Sequence, residues 1–180
     1  PLAVWFFLGK DRTGEDSSNA AARTLAQGSV AALTGFDDRG QAISQGWGFV
    51  AFSDNIVVTT FHPIDYCSKL SLPEWDPTGS VRVLAYDPEL DFAVLKLSKA
   101  PGPAALACGS SEGLRTGDVL LAMGDDAREV TFAGRSPAGL LVSFSGSSLQ
   151  PGTPLLDETG LVLGMITGPA ENGLAAAVPV

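Results

Sequence analysis

"QGWGFVAFSDNIVVTTFH", residues 45–62, decides the fold. "GWGFVAF" (46–52) and "NIVVTT" (55–60) are short runs rich in aromatic and β-branched residues, which pack well on a pleated surface. The turn signal "SDN" separates them. Two strands therefore meet across a tight turn, and the second delivers His62 at its end.

The same grammar runs outward in both directions. "SVAAL" (29–33), "VRVLAY" (81–86), "DFAVLKL" (91–97), "DVLLAM" (118–123), "REVTFAG" (128–134), "GLLVSFS" (139–145), "LVLGMI" (161–166) and "GLAAAVPV" (173–180) are further strand-like runs. "FDDRG", "DPEL", "GDD", "SPAG", "DETG" and "AENG" punctuate them. Many short strands with almost no helix predict an all-β sandwich or pair of barrels. The exception is "SSNAAARTLAQG". A polar N-cap, helix-favouring alanines and a closing Gly28 predict one short helix over about 19–27. Before it, "KDRTGEDSSN" (10–19) reads as a polar linker. The first nine residues, "PLAVWFFLG", are apolar but too short to span a bilayer. They read either as the tail of a signal peptide or membrane anchor, or as an N-terminal strand. Residues 1–28 thus form a stub, linker and helix, and 29–180 the β domain. Its halves divide roughly into 29–100 and 101–180, near the Pro/Gly-rich "KAPGPAAL".

Composition narrows the function. Hydrophobic residues make up 45% of the 180, enough for a sizeable core. The net charge is −9 with no basic cluster, which argues against nucleic-acid binding. There is one histidine, so no zinc set can be completed, and no metal or other cofactor is expected. The two cysteines, Cys67 and Cys108, read as free thiols or as a disulfide, and pairing logic favours the thiols.

Three positions invite chemistry. A strand end that hands His62 into a loop is how a β-barrel presents a general base. Asp91 opens the alternating strand "DFAVLKL" at the edge of the core, where a carboxylate is costly without a partner. An imidazole N–H would supply one. Either residue alone is also compatible with a structural role. The third element would be a nucleophile in "SGSSLQPGTPLLDETG" (145–160). Acyl transfer needs backbone N–H groups converging on the oxyanion. Here Thr153 is followed at once by Pro154, which has no N–H.

Together these segments resemble the trypsin-like serine protease superfamily, and within it the HtrA/Deg branch. "QGWGFVAFSDNIVVTTFH" is similar to that branch's "GSGF" strand and hairpin ending in "IVTNNH". "DPELDFAVLKL" resembles "DPxTDLAVLKI", "CGSSEGLRTGDVLLAMG" resembles "LGDSDxLRVGDWVLAIG", and "NGLAAAVPV" resembles the closing "GIGFAIP". The resemblance covers roughly 29–180. It implies two packed six-stranded antiparallel β-barrels with a cleft between them. It also implies catalytic positions at His62 and Asp91.

The departure falls at the nucleophile. Where the family writes "NPGNSGGPL", this chain writes "QPGTPL". One residue, Thr153, stands for four, and neither the serine nor the glycine after it has a counterpart. Thr153 is the nearest hydroxyl to the lost serine, while Ser147 and Ser148 lie upstream on a wall of the cleft. The expectation is a pseudoprotease that binds extended peptide segments of other proteins. The competing expectation is a working envelope endopeptidase with a displaced Ser or Thr nucleophile. A purely structural envelope domain is a third. The resemblance also implies a periplasmic or envelope location, with a membrane anchor possible upstream and, in relatives, a PDZ domain downstream.

Overall fold

The computed structural model describes residues 24, 26–77, 81–98, 104–169 and 173–180. Residues 24 and 26–28 are helical, so the end of the expected helix is present and reaches Gly28. The apolar stub and the polar linker lie outside the described residues.

Among the described residues twelve strands follow. The first six are β1 (Val30–Phe36), β2 (Ala42–Val50), β3 (Ile56–Thr59), β4 (Lys69–Ser71), β5 (Arg82–Asp87) and β6 (Phe92–Lys96). They form one antiparallel sheet in the order β4-β1-β2-β3-β6-β5. The second six are β7 (Val119–Met123), β8 (Ala127–Ser136), β9 (Gly139–Ser143), β10 (Pro154–Leu156), β11 (Val162–Pro169) and β12 (Leu174–Pro179). They close into a barrel in the order β10-β11-β12-β9-β8-β7. The all-β expectation and the two groups of six are both present.

One detail differs from a pair of closed barrels. The first sheet stays open between β4 and β5 among the described residues. Its two edge strands each have a single partner. β4 is only three residues long and pairs with β1 alone.

Three cores hold the architecture. Leu33, Val50, Val57, Leu72 and Leu95 pack inside the first sheet. Leu120, Phe132, Leu140, Leu155 and Ile166 fill the closed barrel. The third cluster joins the two: Val30, Trp47, Phe49 and Val58 from the first sheet meet Met123, Leu156, Met165 and Val178 from the second. The segment between sheets is pinned on both sides. Leu106 N–H donates to the Val50 carbonyl at 2.8 Å, and Gly109 N–H donates to the Val162 carbonyl at 2.9 Å.

Candidate active site

His62 sits in the turn after β3, whose Ile56–Thr59 ladder is fixed between β2 and β6. Asp91 precedes β6 on the other side of that pairing, so the sheet brings the two together across 29 positions. Asp91 Oδ2 lies 2.7 Å from His62 Nδ1. Its second oxygen, Oδ1, accepts the backbone N–H groups of His62 at 2.7 Å and Phe61 at 3.0 Å. Asp91 adopts a left-handed backbone (φ 51°), a conformation that Asp tolerates better than most side chains. The Phe61 ring stacks on Tyr86 of β5, centroids 4.8 Å apart. The imidazole is thus oriented from beneath while its own side chain remains half exposed.

The carboxylate therefore does two jobs, and the backbone one persists whether or not the imidazole is used. Asp91→Ala orphans two N–H donors and places Ala in the left-handed region. It is expected to cost about 2–3 kcal/mol. Asp91→Asn keeps an acceptor and should cost under about 1 kcal/mol. Urea unfolding of both variants checks this, and equal losses would contradict the backbone role.

The loop where a nucleophile would stand is closed off. Thr153 is 2% exposed, and its hydroxyl donates to the Gln150 carbonyl at 2.8 Å. No hydrogen bond joins His62 Nε2 to a hydroxyl among the described residues. The backbone is equally committed. Gly152 N–H donates to Ile166 at 2.8 Å and Thr153 N–H points to Gln150 at 3.3 Å. Pro151 and Pro154 have no N–H to give. Four consecutive residues therefore offer no free donor for an oxyanion.

The same loop is bound to the opposite sheet. Trp47 N–H on β2 donates to the Pro151 carbonyl at 2.7 Å. The Trp47 carbonyl accepts the Thr59 hydroxyl at 2.7 Å. Gly152 has φ 85°, and a Cβ there would collide with that carbonyl oxygen. The Trp47 indole packs over Gly124 of the second half, so close that a Cβ at Gly124 would lie 3.5 Å from the ring. Beside Thr153, Trp47 and Gln150 only about 40 Å³ of space remains, room for roughly three waters. A second opening of about 200 Å³ lies along Thr34, Gln45, Trp47, Asp125 and Gln150.

The remaining nucleophile candidates are elsewhere or unsuited. Ser147 and Ser148 are exposed; the Ser147 carbonyl accepts Arg128 Nη1 at 2.7 Å. Both cysteines are free thiols and half-buried, and burial pushes the Cys108 thiol up, which lowers its thiolate fraction. Among the described residues no cluster of three potential metal ligands occurs, and no helix is long and apolar enough to cross a membrane.

Sequence reasoning singled out His62, Asp91 and the shortened loop, and the structure brings the first two together; Trp47 was overlooked. The signal was available: a tryptophan occupies the serine position of the glycine-rich "GSGF" motif.

An open six-stranded sheet against a closed one, with a His–Asp pair on the first, defines the trypsin class of fold. The chain belongs to the trypsin-like peptidase domain family, whose model matches residues 46–165. It is 29% identical over 169 residues to the mitochondrial serine protease HTRA2 of Bos taurus, covering 80% of this chain and 36% of that one. It is also 28% identical over 83 residues to the magnetosome formation protease MamE of Paramagnetospirillum magneticum, covering 44% of this chain and 11% of that one. Among solved structures it superposes on the HtrA-type protease AlgW with a tripeptide at a TM-score of 0.70. That match has 24% identity and covers 90% of this chain and 60% of AlgW. The chain thus spans about a third of HTRA2 and a smaller part of MamE.

Proposed function

We propose that this domain is an HtrA-type trypsin fold without acyl-transfer chemistry, serving to bind extended segments of other proteins. One observation carries the reading: from Pro151 to Pro154 no backbone N–H is free, and the only hydroxyl is buried and bonded to Gln150. His62 and Asp91 form a general-base pair with nothing to deprotonate. Thr153 then serves as a loop staple, its hydroxyl closing the turn instead of attacking a carbonyl.

The binding role rests on the opening along Gln45, Trp47, Asp125 and Gln150 and on the outer edge of β5, the terminal strand of the open sheet among the described residues. Strand addition at an exposed edge supplies affinity through main-chain bonds. A location in the periplasm or cell envelope, either secreted or anchored through the N-terminus, follows by analogy with the HtrA branch.

Incubation with an unfolded protein such as casein tests the reading in two arms. The wild type and His62→Ala are expected to release no peptides, while both bind the intact chain in a pull-down. Cleavage by the wild type that His62→Ala abolishes would support the alternative, an endopeptidase with a displaced nucleophile. Neither cleavage nor binding would leave only a structural domain.

A further inference from the structure

An apolar cavity opens beside the residues that flank Asp91. It measures about 420 Å³ and lies between the two sheets. Leu90 and Phe92, the residues on either side of Asp91, form one wall. Pro137 and Ala138 of the β8–β9 turn and Val178 of β12 form the other. Its size falls within the range of small-molecule sites. Leu90 is 55% exposed, an apolar side chain left without cover beside an apolar recess.

A single charged side chain, Arg135, lines this recess, and no carboxylate does. That is a local reversal in a chain whose net charge is −9. Arg135 is also held in place. One guanidinium nitrogen, Nη2, donates to the Ser111 carbonyl, and the guanidinium carbon sits 5.8 Å from the Phe132 ring centroid. Both partners are neutral, so the positive charge meets no counter-charge among the described residues. An apolar pocket whose lining includes one cation and no carboxylate matches one ligand chemistry: an apolar body carrying one carboxylate.

We propose that this inter-sheet cavity binds small amphipathic monocarboxylates, with the carboxylate on Arg135 and the hydrocarbon between Leu90, Phe92 and Val178. The site is separate from the peptide-binding opening at Trp47 and does not depend on it. No covalent step is involved.

Octanoate is the probe, titrated into the whole protein and followed by amide NMR shifts. Saturable shifts centred on residues 90–92 and 135–139 are expected. Shortening the chain towards butyrate should weaken binding by about three- to fourfold per methylene. Octanol and octylamine, which lack the carboxylate, should bind at least about tenfold more weakly. Arg135→Gln should weaken octanoate about tenfold yet leave octanol unchanged. Ala138→Trp should obstruct the pocket and weaken every octyl ligand. Both substitutions are on exposed residues, and a circular-dichroism melt confirms that each variant is folded. Octanol binding as well as octanoate, equal octanoate affinity in Arg135→Gln, or shifts centred elsewhere would overturn the proposal. So would an absence of saturable binding.

Discussion

Gly152→Ala is expected to remove about 3–5 kcal/mol of stability, though it adds only one methyl group. Two costs combine. A side chain in the left-handed region, here at φ 85°, costs about 1–2 kcal/mol. The new Cβ also meets the Trp47 carbonyl oxygen, a backbone atom that cannot rotate away. Overpacking of this kind costs typically about 1–3 kcal/mol. Relief would require the loop to withdraw from β2, breaking the Trp47–Pro151 backbone bond of 2.7 Å and loosening the Gly152–Ile166 bond of 2.8 Å. Each is worth about 1 kcal/mol. Urea unfolding measures the difference directly. A loss below about 1 kcal/mol would mean that the loop is not held against β2.

Trp47→Ala is expected to be nearly as severe, at about 3–5 kcal/mol, the usual cost of deleting a buried aromatic side chain. Trp47 is 9% exposed and belongs to the cluster joining the two sheets, so removal of its indole weakens the junction itself. In a chain of this size the melting temperature should fall by about 10 °C. The variant should also enlarge the small space beside Thr153 and Gln150. It should not create catalysis, because the N–H donors of the loop stay engaged with Ile166 and Gln150. A shift of only a degree or two would show that the indole is a surface cover and not part of the inter-sheet core.

The reach of sequence reasoning follows from these residues. Period-two runs such as "DFAVLKL" announce their strands because one face is buried and the other is not, as in the alternating burial of β6. β4 and β10 escaped notice because three residues are too few to show a period. The gap in the first sheet escaped because it depends on which strands pair, not on any strand's own pattern. His62 and Asp91 were legible through their positions at strand ends, and the pairing across the sheet places them 2.7 Å apart. The shortened loop was legible as a missing motif. What stands in its place was not. The contact between Trp47 and Gly152 spans more than half the chain, and no local pattern encodes it.

That contact ties the shortened loop to the rest of the molecule. The loop lies against β2, and glycine is required at 152 because the Trp47 carbonyl leaves no room for a Cβ. Asp91 also caps two backbone amides, so it has a structural role that does not depend on catalysis.

Treatment of the wild-type protein with a fluorophosphonate probe, read by intact mass, tests the central claim most directly. The probe reacts with a hydroxyl only when a base activates it and an oxyanion site receives the phosphoryl oxygen. No adduct is expected at Thr153, Ser147 or Ser148, so neither the wild type nor His62→Ala should gain the mass of the probe. Stoichiometric labelling of any of these hydroxyls, lost on His62→Ala, would contradict the account.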